Sequence, residues 1–148
     1  MPIPQEKRAR PVSLAVIRHP RNDTILAVCF HRRDTGEAYY RPAGGGIDYG
    51  ETSRAAVHRE IREELDAEIE SHRILDVAEN IFTNEEGETS HQIMFLWEVS
   101  FVDPALYERA VFTVTDNYGP PLEAHWVSPA DLARRGIYLF PIALRAAL

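Results

Sequence analysis

Three glutamates, Glu60, Glu63 and Glu64, stand at i, i+3 and i+4 in a stretch whose apolar residues recur with helical spacing. On a helix this spacing turns all three carboxylates to one face. Val57, Ile61 and Leu65 mark a separate buried stripe, so the acids run along its edge. Grouped carboxylates suit a hard divalent cation, because Mg²⁺ takes oxygen ligands, usually a few carboxylates together with substrate phosphates. The same spacing also suits a solvated acidic surface. Helix energetics argue against an arrangement chosen for stability alone. Glu60 and Glu64 repel each other by a few tenths of a kcal/mol, and Glu63 and Glu64 oppose the helix dipole by roughly 0.3–1 kcal/mol each. Arg59 precedes Glu63 in the less favourable order for a helical ion pair.

The approach to these acids is Gly44-Gly45-Gly46. Glycines let a backbone come close to something bulky, or adopt positive φ, and three together also make a plain turn. No Gly-Lys-Ser/Thr follows, so this is not a P-loop. Tyr49 stands where a dinucleotide-binding fingerprint needs its third glycine.

Gly45, five residues, Glu51, seven residues, then Arg59-Glu60-Ile61-Arg62-Glu63-Glu64 resembles the Nudix box, the signature of the Nudix (MutT-like) hydrolases. Six fixed residues and one apolar position coincide by chance roughly once in ten million starting points. Arg41-Pro42-Ala43-Gly44-Gly45 before the box and Trp126-Val127-Ser128-Pro129 after it are similar to family features. The resemblance implies an α/β (α+β) fold, a Nudix-type α/β/α sandwich with a mixed β-sheet, over a single domain at 1–148. It implies a metal-dependent pyrophosphohydrolase acting on the diphosphate linkage of a nucleoside diphosphate derivative, with Mg²⁺ as cofactor and Mn²⁺ as its substitute. Carried over residue by residue, Glu60, Glu63 and Glu64 with the Gly45 carbonyl would be the metal ligands. Arg59 would orient the acids by pairing with Glu51 or Glu63, and the general base would come from the Glu60–Glu64 set or from an acid outside the box. Glu98 is the first candidate for that outer acid, ahead of Glu79 and Glu123; Gln92 cannot serve as a base. Asp66 stands where the family usually has glycine, in a position that calls for the left-handed conformation Asp tolerates better than most residues.

For phosphate the residues to name are Arg41, beside the glycines, then Arg32 and Arg33, since Arg contacts phosphate in bidentate fashion. Tyr40, Phe82 and Trp97 are candidates to stack a base. No proline occurs between Asp66 and Pro104 and no tyrosine between Tyr49 and Tyr107, so the markers of ADP-ribose and dinucleoside polyphosphate enzymes are missing. That leaves nucleoside triphosphates, including oxidised dGTP, ahead as substrates. The rival reading is a catalytically silent Nudix-like module that senses a nucleotide. An isoprenoid diphosphate isomerase would want a cysteine at the site.

Several elements must position these residues. Val12–Arg18 and Thr24–His31 flank a Pro20-Arg21-Asn22-Asp23 turn and read as a hairpin. Tyr39-Tyr40-Arg41 reads as a short strand before the glycines. The acid-bearing helix runs from about Ser53 to Leu65, with Thr52 or Ser53 as its cap. Ile74–Thr83 and Gln92–Val102 read as strands around a polar loop at 84–90. In the second, Ile93, Phe95, Trp97, Val99 and Phe101 share one face. His125-Trp126-Val127 is a last strand, and Ser128-Pro129 opens a short helix. The apolar tail Phe140–Leu148 reads as core, or as the subunit contact of a homodimer.

The chain has 148 residues and a formal net charge of −7, with 15 arginines and a single lysine, Lys7. That balance opposes a general grip on nucleic acid polymers, which need a basic face, but leaves a small anionic substrate open. Between Glu51 and Glu70 seven acids meet only Arg54, Arg59 and Arg62, an excess of four. The N-terminus carries Glu6, Lys7, Arg8 and Arg10, and the apolar run after it is too short for a signal or a membrane span. Cys29 is the one cysteine and reads as a small buried hydrophobe. The expectation is a cytoplasmic protein with a small-molecule partner and no membrane contact.

Overall fold

The computed structural model describes residues 7–84, 86–115 and 119–148. Glu6 of the charged start, and residue 85 in the polar loop, lie outside them. Strand β1 (Arg10–Ile17) is the spine of the molecule because it is apolar on both faces. Val12, Leu14 and Val16 face one core, and Ala15 and Ile17 face the other. The remaining strands are β2 (Ile25–His31), β3 (Ala38–Arg41), β4 (Gly44–Gly46), β5 (Ile69–Thr83), β6 (Thr89–Phe101), β7 (Val111–Val114) and β8 (Leu122–Val127). They form two four-stranded sheets. The order β4-β1-β6-β5 is mixed, since β1 and β6 run parallel; β3-β2-β8-β7 is antiparallel throughout.

Helix α1 (Ser53–Leu65) covers one face of these strands with Val57, Ile61 and Leu65. Helices α2 (Pro129–Arg134) and α3 (Leu144–Ala147) cover the opposite face with Leu132 and Leu144. Strand β6 serves both layers as its alternation requires: Trp97, Val99 and Phe101 pack toward α1, and Met94 and Leu96 toward α2 and α3. The result is an α/β/α arrangement around a mixed sheet.

Local signals set α1 closely. The Thr52 hydroxyl accepts from Ala55 N–H at 3.0 Å as the N-cap. Asp66 ends the helix in the left-handed region, at φ 51° and ψ 47°, and its N–H donates to Arg62 O. Buried Ser13 of β1 donates its hydroxyl to Ser53 O at 2.8 Å, and the Trp97 indole N–H donates to Ser53 Oγ at 3.1 Å. The first turn of the acid-bearing helix is thereby pinned to both central strands. Ser128 caps α2 through Asp131 N–H.

Two expectations need correction. The hairpin of Val12–Arg18 with Thr24–His31 exists only at its tip, where Arg18 bridges Ile25 and His19 N–H donates to Thr24 O. Beyond it the strands enter different sheets, because β4 and β6 occupy the edges of β1 while β3 and β8 occupy those of β2. Gly44-Gly45-Gly46 is not a turn but a strand antiparallel to β1. Its backbone approaches so closely that a Cβ on Gly44, at φ 145°, would stand 2.1 Å from Ser13 O. β7, α3 and a 3₁₀ turn at Pro104–Glu108 carried too little local pattern to be expected.

Asp66→Gly should stabilise the fold by about 0.5–1 kcal/mol, since it relieves left-handed strain and removes an acid from the negative end of the dipole. Chemical denaturation checks this; Asp66→Ala should shift the midpoint the other way.

Candidate active site

Arg59 organises the site. Its Nε donates to Glu51 Oε2 at 2.7 Å and its Nη2 to Glu51 Oε1 at 2.8 Å, a two-pronged pair. Nη1 donates to Glu60 Oε1 at 2.9 Å and to Glu63 Oε2 at 3.2 Å, while Nη2 also donates to Gly46 O at 2.9 Å. Asp48 adds a looser ion pair at 3.6 Å. Both partners expected for Arg59, Glu51 and Glu63, are therefore present, together with Glu60. Hydrogen bonding from Arg59 pulls the Glu51 carboxyl down to about 2, and the same bonds raise the guanidinium above its ordinary value.

The glycines decide how near the acids can lie. A Cβ on Gly45 would stand 2.7 Å from the Glu60 carboxyl carbon, so only glycine admits this carboxylate against the β4 backbone. The Glu60 side chain is 14% exposed, whereas that of Glu63 is 57% exposed. Glu64 accepts Thr115 N–H at its backbone oxygen. Its charge and that of Glu60 act on Arg41, whose pKa is lowered chiefly by burial and supported by these acids. Thus the structure brings Gly45, Glu51, Arg59, Glu60 and Glu63 into one network, with Glu64 and Arg41 in its field.

Arg41 is more committed than a free phosphate ligand would be. Its Nε donates to Pro42 O and its Nη2 to Gly44 O, and its guanidinium lies 5.3 Å from the Phe30 ring centre. Arg32 chelates Asp34, and Arg33 pairs with Glu86 at 3.6 Å; both pairs sit on polar loops rather than on α1. Glu98 is a clear misplacement. It lies on the face of β6 shared by Met94 and Leu96, and it pairs with Arg18 at 3.7 Å and Arg73 at 3.4 Å. The α1 face belongs to its neighbours Trp97 and Val99, so Glu98 is turned away from the box. Glu79 is exposed near the far end of β5, and Glu123 pairs with His125.

The stacking candidates also move. Trp97 is core, Tyr40 packs on the α2 and α3 side, and Phe82 lies at the tip of β5. Pairing of Phe30 with Tyr39 across β2 and β3 puts Tyr39, not Tyr40, on the α1 face. A ladder of rings follows: Phe30 stacks on Tyr39 at 5.3 Å, Tyr39 meets Phe140 edge-on at 5.7 Å, and Phe140 stacks on exposed Tyr138 at 5.5 Å. Alternation alone could flag Tyr39, but choosing between the two tyrosines takes the register. Cys29 is half-buried rather than core. It alternates with Val28 and Phe30 and so faces away from α1, which places it off the site an isomerase would need.

The donors at the box edge are hard oxygens, and the missing side chain at Gly45 lets the Glu60 carboxylate lie directly against the β4 backbone, so that carboxylate and backbone oxygens are close enough to fit a divalent cation. Among the described residues, no three Asp, Glu, His or Cys side chains already converge as a closed ligand set; Arg59 holds Glu60 and Glu63 instead. No helix among them is long and apolar enough to cross a membrane.

The sequence matches the NUDIX domain family over residues 8–143, and the chain belongs to that family. It is a hydrolase of the class acting on pyrophosphate bonds. Among solved structures it is similar to a NUDIX hydrolase from Nitrosomonas europaea, with TM-score 0.65 and 17% identity over 93% of this chain and 85% of that one. It is also similar to a MutT protein from Methanosarcina mazei Go1, with TM-score 0.65 and 19% identity over 97% and 93%. The E. coli ORF135 protein matches with TM-score 0.61 and 21% identity over 95% and 86%. These likenesses establish the fold. No curated protein matches the chain by sequence.

Because its folded pKa is depressed, Glu51 contributes stability above its ordinary carboxylate range, and that contribution is lost as pH falls from about 4.5 toward about 2. Glu51→Gln should therefore lower stability at pH 7 by about 1.5–3 kcal/mol and flatten the acid limb of the pH–stability profile across that window. Denaturant titrations between pH 2 and 7 measure both effects.

Proposed function

We propose that the chain is a metal-dependent pyrophosphohydrolase that cleaves the diphosphate linkage of a nucleoside diphosphate derivative, with nucleoside triphosphates such as oxidised dGTP as the leading class. One observation carries this reading: Glu60 lies against the Gly45 backbone and shares the Arg59 guanidinium with Glu63. Glu60, Glu63 and Glu64, with the Gly45 carbonyl, would hold Mg²⁺ or Mn²⁺, which when bound would supply neutralisation of phosphate charge and a more acidic water. Exposed Glu63 is the acid freest to exchange Arg59 for the cation. The two bonds from Arg59 to Glu51 would hold its orientation if Glu63 turned to the cation.

The chain's own groups supply the rest. A carboxylate oxygen of the Glu60–Glu64 set takes the proton of the attacking water. Arg41, partly desolvated and close to the acids, turns its remaining N–H donors to phosphate oxygens. The ring ladder from Phe30 to Tyr138 adjoins Arg41 and supports a substrate with a planar base. Such a small-molecule reaction suits a cytoplasmic setting.

The test is a phosphate- and pyrophosphate-release panel over nucleotides and nucleotide sugars with Mg²⁺ or Mn²⁺. Activity is expected on at least one member and should vanish with a chelator. Glu63→Gln and Glu64→Gln should each reduce it by about 10²-fold or more while circular dichroism stays unchanged. Full activity in those variants sinks the ligand assignment. Binding of nucleotides with cleavage of none would replace the enzyme by a sensor. Gly45→Ala should lose activity on a similar scale, because its Cβ would displace the Glu60 carboxylate.

A further inference from the structure

The stretch after α2 extends the sheet that carries Arg41. Tyr40 N–H donates to Tyr138 O at 2.9 Å, and Phe140 N–H donates to Tyr40 O at 2.8 Å. Residues 138–140 therefore run parallel to β3 along the edge that no other strand occupies, with Leu139 opposite Tyr40. This register sets Phe140 level with Arg41 and Tyr138 level with Tyr39, one strand spacing of about 4.8 Å away. Alternation then divides the three side chains. Leu139, 1% exposed, anchors the segment in the core beneath α2 and α3. Phe140 and Tyr138 turn to the other face, where Phe140 meets Tyr39.

Two stacked pairs of rings meet there at a corner. Phe30 and Tyr39 lie 15° from parallel, Phe140 and Tyr138 lie 28° from parallel, and Tyr39 and Phe140 cross at 82°. Arg41 borders the first pair, with its guanidinium 5.3 Å from the Phe30 ring centre. Tyr138 belongs to neither core and is 60% exposed, although one face of its ring lies on Phe140. Its other face is left to water. Covering such a face with a second flat ring buries apolar area, and stacking adds to that gain. We propose, on the reading of the box as a nucleotide hydrolase, that Tyr138 and Phe140 determine specificity by stacking the planar base of the substrate whose phosphates Arg41 meets. One strand spacing between these rings and Arg41 is a separation that a ribose spans.

Titrate the ¹⁵N-labelled full chain, without divalent cations, with a purine nucleoside monophosphate and with ribose 5-phosphate, which keeps the sugar and phosphate but lacks the base. The nucleotide should bind about tenfold more tightly and shift the amides of Tyr39, Tyr138 and Phe140. Tyr138→Ala should remove that preference and leave the affinity for ribose 5-phosphate where it was, with circular dichroism unchanged because the side chain is exposed. Tyr138→Phe keeps the ring and should restore the preference. Equal affinity of the unaltered chain for the two ligands, or a full preference in Tyr138→Ala, overturns the proposal. A base preference that depends on Tyr138 in a chain that cleaves no nucleotide sinks the hydrolase reading and keeps the stacking site. Cleavage of nucleotides without that preference sinks the stacking site alone.

Discussion

One guanidinium holds together carboxylates that would otherwise move apart. Glu60 and Glu63 lie on one edge of α1 and Glu51 precedes the helix, so their mutual repulsion favours any rotamers that separate them. Arg59 reverses this by donating to all three and to Gly46 O. Desolvating such a group is costly unless its donors are filled, and here five bonds fill them. The elements around it serve that geometry. Thr52 and Asp66 set the ends of the helix, Ser13 and Trp97 pin its first turn through Ser53, and Gly45 gives the Glu60 carboxylate its place against the strand.

The two faces of the central strands carry separate ionic networks. Toward α1, Arg59 binds three of the seven acids between Glu51 and Glu70, Arg62 binds Glu68, and Arg41 lies in the field of Glu60 and Glu64. On the other side Glu98 is shared by Arg18 and Arg73, and Asp131 by Arg134 and Arg135. A strand with side chains alternating between two buried faces, as in β1 and β6, lets adjacent residues belong to these different environments. Trp97 and Glu98 are neighbours in sequence and lie on opposite sides of the molecule.

Much of this was legible before any coordinates. The bounds of α1, its cap, the left-handed Asp66 and the Ser128 cap all rest on interactions within a few residues, so local spacing reports them. The failures share a cause. The hairpin, the side taken by Glu98, the choice between Tyr39 and Tyr40, and the exposure of Cys29 all depend on which strand lies alongside and in what register. Alternation says that neighbours part company; it does not say which of them meets α1. Two register shifts in β5, at Ser71/Arg73 and Ile74/Asp76, reset that parity without a local mark.

The local order of residues was enough to assign the acid-bearing helix, its arginine and the three glycines before it to one chemical unit, because those groups lie within about 20 residues and a helix has a single period. Tertiary structure alone decided that Glu60 would touch Gly45, that the ring ladder would run through Phe140 and Tyr138, and that Glu98 would serve arginines on the far side. Those outcomes follow from strand pairing between distant segments, where a shift of one residue exchanges the two faces.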